Sequence, residues 1–221
     1  YSSNGRVFDI GITTSGALVR VLETGNAREC GPTDERSSGN GSIMRLAPVP
    51  IAYHRCFPEQ LDLLVNRALE SSLPTHASPQ CLSSCRYFAL ILAGLIHGLE
   101  RDEVLSPDWE PLRQMRHAED LHAEVLEVAL GSFRRRMPPE IVGSGYVVKS
   151  LEAALWAFHP DTDFREAVLA AVNLGDDADT TGAVCGQGAG AYWGERGIPE
   201  DWKRGLADLE LIDRILSALI E

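Results

Sequence analysis

The sequence predicts an all-α protein folded as one domain. Three observations carry that reading. Apolar residues recur at helical spacing over most of the 221 residues. No segment alternates apolar and polar for long enough to make a strand. One helix candidate near the C-terminus carries glycine at every fourth position. The length suffices to bury a substantial core, and no linker or repeat divides the chain.

The elements follow in order. Val19, Val21 and Leu22 lie in a stretch that stops at Gly25, because glycine takes the left-handed conformation that closes a helix. Pro58 opens the next helix, with Leu61, Leu64, Val65, Ala68 and Leu69 on one face. Residues 78–99 read as one long, deeply buried helix closed by Gly94 or Gly98. Residues 109–133 are amphipathic, with Leu121, Val125, Val128 and Ala129 inward. Residues 146–158, 164–174, 180–193 and 208–220 complete the helices. Residues 142–148 are rich in β-branched side chains, but Gly143 and Gly145 interrupt them. The informative loops are residues 37–45, 141–146 and 175–179.

Charge narrows the function classes. Lys plus Arg number 20 and Asp plus Glu 32, for a net charge of −12. Such a chain is repelled by nucleic-acid phosphates and anionic membranes, and its carboxylates suit cations. The longest apolar run, residues 87–96, is too short to span a bilayer. The five cysteines are odd in number and match no disulfide scaffold, which predicts a reducing, cytoplasmic compartment. Cys81 and Cys85 share a helix face as small buried residues, with a metal or redox pair as the alternative. Tyr1 stands where an initiator Met would be, and no signal-peptide pattern follows; the chain reads as soluble and cut from something longer.

The sharpest feature is Asn173-Leu-Gly-Asp-Asp-Ala-Asp-Thr-Thr-Gly182. Asp176, Asp177 and Asp179 crowd four positions, and their mutual repulsion needs an offset. A hard cation such as Mg²⁺ takes oxygen ligands of this kind. Capping of the following helix is the equal alternative. The twelve-residue loop of an EF-hand, with its terminal Glu, is absent. In the helix that follows, Gly182, Gly186, Gly190 and Gly194 form a stripe, with Gly188 added. Each interior glycine costs roughly 1 kcal/mol relative to alanine. Close approach of another helix would compensate, so the stripe at Gly182, Gly186 and Gly190 is expected against a neighbour at short separation.

Two further turns are rich in glycine. Ser38-Gly39-Asn40-Gly41-Ser42-Ile43-Met44-Arg45 leads into an apolar helix and reads either as an anion cradle or as a plain tight turn. Gly143-Ser144-Gly145-Tyr146 ends in an aromatic at a helix start. Tyr146 could stack on a ligand ring or pack on the core.

The run from Asn173 through Gly194, followed by Ile198-Pro199 and Trp202, resembles the C-terminal signature of the ADP-ribosylglycohydrolase family. The resemblance implies an orthogonal helical bundle of that type over residues 1–221. In the family, two carboxylates and a hydroxyl bind a pair of Mg²⁺ ions; by position they fall on Asp177, Asp179 and Thr180, with the two aspartates catalytic. Asp176 stands where the family usually has glycine. Gly39, Asn40, Gly41, Ser42 and Met44 are similar to the segment that lines the family's ADP-ribose pocket, with Arg45 inclined to a structural role. Gly143, Ser144, Gly145 and Tyr146 are similar to the loop that cradles adenosine, and Thr75-His76 resembles a Thr-His placed at the pocket. Phe8-Asp9-Ile10-Gly11 and Thr13-Thr14 look like the segment preceding the Gly-Asn-Gly loop.

The implied reaction is Mg²⁺-dependent hydrolysis of an N- or O-glycosidic bond, releasing ADP-ribose from a modified protein or small molecule. An inactive ADP-ribose-binding relative and a crystallin-like structural protein are the rival classes. About 70 residues usual at the family's start, with a Gly-Asp segment and a Thr-Asp-Asp triplet carrying further metal ligands, have no counterpart here. The chain therefore reads as the family domain without its N-terminal part.

Overall fold

The computed structural model describes residues 10–117 and 121–220. Phe8 and Asp9 of the resemblance lie outside the described residues, as does part of the predicted 109–133 helix. The α-helices in chain order are α1 (Ile12–Thr24), α2 (Pro48–Ala52), α3 (Leu61–Ser72), α4 (Pro79–Ile96), α5 (Arg101–Val104), α6 (Glu110–His117), α7 (Ala123–Ala129), α8 (Ser132–Arg135), α9 (Val147–Phe158), α10 (Phe164–Val172), α11 (Ala178–Gly197), α12 (Glu200–Arg204) and α13 (Leu209–Ile220). Among the described residues there is no strand, only an isolated antiparallel bridge between Gly39 and Tyr146.

The core is organised around α4. Its residues from Tyr87 to Leu95 are buried without interruption, so the helix is apolar on every side and must be surrounded. α3, α9, α11, α2 and α7 pack against it. By length and composition α4 could cross a membrane, which the sequence reading excluded. Its apolar window is 78% buried inside the protein, as befits a central core helix. Cys81 and Cys85 are wholly buried on α4, in keeping with the core reading. Burial pushes the Cys81 thiol up to about 11.

Several helix ends follow local chemistry. Gly25 and Gly98 take left-handed φ values of 71° and 78° just beyond α1 and α4. Asp163 caps α10 by accepting the Glu166 N–H at 2.8 Å. Other boundaries differ from expectation. Pro58 does not open α3, because Phe57 is extended and buried in the core; the chain turns before the helix starts at Leu61. Gly94 does not close α4; it lies inside the helix, beneath Val104 and Trp109. The predicted 109–133 helix is broken. Gly131, at φ 86°, separates α7 from α8, and the bend buries Val125, Val128 and Ala129 together with Phe133.

The glycine stripe of α11 is the main correction. Only Gly182 meets a neighbour closely: a Cβ there would lie 2.8 Å from Val172 Cγ2 on α10. Gly186 and Gly190 have nothing within 4 Å of the corresponding position. They line an apolar groove of about 430 Å³, opposite Pro50, Ile51, Leu92 and Ile96. Gly194 leaves helical geometry and breaks α11 near its end. Gly186→Ala and Gly190→Ala should therefore each stabilise the protein by up to about 1 kcal/mol. Gly94→Ala, whose Cβ would sit 2.7 Å from Val104 Cγ1, should cost about 1–3 kcal/mol by overpacking. Urea unfolding of the three variants checks the opposite signs, and a destabilised Gly186→Ala would restore the original expectation.

Candidate functional site

Three segments distant in sequence meet at the N-terminal ends of α11, α9 and α1. The main chain of Asn40 donates to Gly145 O at 3.0 Å, and Val147 N–H donates to Ser38 O at 2.9 Å. These bonds lay the glycine loop, residues 38–45, along the start of α9. The Asn40 amide then reaches in three directions, to Ser144 O and Ser150 Oγ at 3.2 Å and to Asp177 Oδ2 at 2.5 Å. A short bond to a carboxylate is the charge-assisted one and orients that carboxylate most strongly.

The acidic loop turns on two consecutive left-handed residues, Gly175 at φ 75° and Asp176 at φ 53°. Asp176 is exposed and carries the backbone conformation that the family's glycine would take without strain. Asp177 occupies the N-cap position of α11, yet its side chain makes no capping bond. Its carbonyl instead accepts from Thr181 N and Thr181 Oγ1, at 3.0 and 2.8 Å. Asp179 Oδ1 accepts the Thr180 N–H at 2.9 Å, so one carboxylate does part of the capping work. The loop is backed by Gly143, where a Cβ would fall 2.5 Å from Gly175 O.

His76 supports the other side. It is 2% exposed, and its ring lies so close to the glycine loop that a Cβ on Gly41 would meet Cε1 at 2.7 Å. Burial, aided by the Arg45 guanidinium, lowers its pKa to about 4. Arg45 has a structural role: it donates to Gly41 O and Thr75 Oγ1 at 2.7 Å and to Ser71 O at 3.2 Å. Gln187 on α11 braces the loop from below. Its Nε2 donates to Ile43 O and Met44 O, and its Oε1 accepts the Ala47 N–H at 2.7 Å.

The result is one cavity of about 340 Å³ lined by Gly39, Asn40, Gly41, Met44, His76, Gly145, Asp177, Asp179 and Thr180, together with Gly11, Ile12, Thr13 and Thr14. Most predicted residues thus come together. Ser42 does not line it; it is 1% exposed beneath the loop. Gly143, Ser144 and Tyr146 also stand outside the lining. Tyr146 is half-buried against the core, its N–H donates to Ser144 Oγ, and its hydroxyl donates to Glu124 Oε2 at 2.9 Å. Burial and that carboxylate push its pKa up. Gly11 to Thr14 and Gln187 were given no role from the sequence. Gly11, Thr13 and Thr14 belong to the segment that the resemblance places before the Gly-Asn-Gly loop, and nothing local marks Gln187.

The model of the ADP-ribosylglycohydrolase family matches residues 1–221. An ADP-ribosylarginine hydrolase of Serratia proteamaculans is 38% identical over 218 residues, 99% of this chain and 56% of the relative. One of Pseudomonas putida is 34% identical over 220 residues, 100% of this chain and 56% of the relative. An ADP-ribosyl-[dinitrogen reductase] glycohydrolase of Rhodospirillum rubrum is 28% identical over 198 residues, 89% of this chain and 60% of the relative. A solved ADP-ribosylglycohydrolase-related protein complex superposes with a TM-score of 0.79 at 38% identity, covering 95% of this chain and 68% of that one. The chain spans somewhat over half the length of the curated relatives it matches. It belongs to the ADP-ribosylglycohydrolase family.

Two outcomes test this geometry. Asp176→Gly should raise stability by up to about 1 kcal/mol, read by urea unfolding, because it removes left-handed strain. His76 has a folded pKa of about 4 against an ordinary value of 6.5. Its contribution to stability is then full above pH 6.5 and is lost as pH falls from 6.5 towards 4, where the unfolded chain binds the extra proton. His76→Gln should flatten the fall in stability over that window; an unchanged slope would show the ring to be free to ionise.

Proposed function

We propose that this member of the ADP-ribosylglycohydrolase family hydrolyses the glycosidic bond between ADP-ribose and an arginine guanidinium, in a Mg²⁺-dependent reaction. One observation carries the reading. Asn40 and Gly41, His76, Gly145 and the Asp177–Asp179–Thr180 group, more than 100 residues apart at the extremes, line one cavity. The arginine acceptor follows two relatives above 30% identity, each named ADP-ribosylarginine hydrolase. Five free cysteines suit the cytoplasm as the compartment.

Asp177, Asp179 and Thr180 would hold the cation. Their donors are all oxygen and the three residues line one cavity, which suits a hard divalent ion. When bound, Mg²⁺ would supply Lewis-acid polarisation of ribose hydroxyls and of water. Among the described residues, no group of three or more His, Cys, Asp or Glu gathers to hold a metal. Residues 1–221 alone should accordingly bind Mg²⁺ weakly, because an octahedral ion given these three protein oxygens leaves its other positions to water.

The chain's own residues supply the rest. Asn40 holds one oxygen of Asp177 and leaves the other without a protein donor among the described residues. One of the two carboxylates, at an oxygen that no protein donor holds among the described residues, takes the single proton released by the water that attacks the anomeric carbon. The bond from that carbon to the guanidinium nitrogen breaks, and the nitrogen is protonated from solvent as arginine leaves. Gly11, the N-cap of α1, makes no side-chain cap bond, so main-chain N–H groups there suit the pyrophosphate.

The test is release of free ADP-ribose from ADP-ribosylated arginine by the full-length protein, before and after chelation and Mg²⁺ return. Asp179→Ala should lower turnover by at least about 100-fold. Turnover that survives Asp179→Ala would remove the assignment. ADP-ribose binding without turnover would mark an inactive binder, and failure to bind ADP-ribose or Mg²⁺ would mark a structural relative.

A further inference from the structure

The buried pair Thr75–His76 carries a polarity that the reaction itself does not require. An arginine guanidinium can only donate hydrogen bonds. Arg45 donates to Thr75 Oγ1 at 2.7 Å, so it occupies a lone pair of that hydroxyl. Thr75 is 5% exposed, and its hydroxyl proton must go to an acceptor. The acceptor within reach is His76 Nδ1, at 2.8 Å from the same oxygen. With the opposite polarity, Nδ1 donating, the hydroxyl proton would be left buried with no acceptor among the described residues, a cost comparable to a lost hydrogen bond.

The chain of polarity therefore runs from guanidinium to hydroxyl to imidazole. It leaves Nδ1 as the acceptor and places the ring proton on Nε2. Nε2 is the edge turned to the glycine loop: Cβ atoms built on Gly39 and Gly41 would stand 3.2 and 3.1 Å from it. His76 lines the cavity, and no protein acceptor meets Nε2 among the described residues. A second proton on Nδ1 would displace the Thr75 proton and lie beside the Arg45 charge, in line with the depressed pKa of the ring.

We infer that Arg45 and Thr75 are positioning residues that hold His76 as a neutral Nε2–H donor, so that this wall of the cavity selects an acceptor oxygen on the ligand. The choice of ligand rests on the function proposed above; the tautomer does not. A phosphate, hydroxyl or carbonyl oxygen fits such a donor, and a cationic group does not.

Long-range ¹H–¹⁵N NMR of histidine-labelled protein at pH 7 decides it. The His76 ring should show a protonated Nε2 and an unprotonated Nδ1. Thr75→Val removes the hydroxyl and should give mixed tautomers, with ADP-ribose binding weakened about 10-fold by calorimetry. Thr75→Ser restores the hydroxyl and should return both to the wild-type state. A wild-type ring protonated on Nδ1 overturns the inference, as does a Thr75→Val ring that keeps the wild-type pattern. Should Thr75→Val fail to fold, the wild-type and Thr75→Ser spectra still decide. A wild-type ring with the expected tautomer in a protein that binds no ADP-ribose would sink the proposed function while leaving the positioning pair in place.

Discussion

The side-chain amide of Asn40 is the joint on which the cavity depends. It is 7% exposed, and its partners are Ser144 O, Ser150 Oγ and the Asp177 carboxylate. Each lies more than 100 residues away in the chain. A buried donor must be satisfied, and a half-buried carboxylate needs a donor to offset its lost hydration. One amide meets both demands, so loss of any arm leaves an unpaired polar group near the core. That constraint brings the glycine loop, the start of α9 and the acidic loop to one place.

The joint is braced from opposite sides. His76 presses its ring against the glycine loop, while Gln187 ties the next turn to α11 through both ends of its amide. Ser38 Oγ donates to Ser78 Oγ at 2.8 Å, and Ser78 in turn caps α4. The glycine loop is thus tied to the N-terminal end of the helix whose remainder forms the apolar core. Core packing fixes α4, and α4 holds that anchor of the loop in place. Backbone contacts then leave no room for adjustment, as at Gly143 against Gly175 O.

The glycine stripe of α11 shows where local reasoning stops. Four small residues on one face do permit close approach, and at Gly182 the approach is made by Val172. At Gly186 and Gly190 the same spacing opens onto a groove. Permission for contact is a property of the helix; the presence of a partner is a property of the rest of the fold. Tyr146 carries the same lesson. Its place at the start of α9 was legible, but the partner of its hydroxyl, Glu124, belongs to a helix in the stretch where the predicted continuity failed.

By itself the sequence determined the helical class, several helix ends and the residue types of the site. Those signals are local: Gly25 closes α1 through its own φ, and the α3 face at Leu64, Val65 and Ala68 follows from spacing alone. The crowded aspartates announced an electrostatic need within a span of four residues. Tertiary structure supplied the physical reason that Asp177 rather than Asp176 faces the cavity, as the resemblance implied: Asp177 is turned by Asn40 and Asp176 is left in solvent. It also decided that the N-terminus of α1 joins the lining, that Ser42 is buried beneath it, and that Gly131 divides α7 from α8. Each of these turns on which distant segment arrives at a given atom, and that is settled by the packing around α4, where burial of one helix on all sides leaves its neighbours few positions to take.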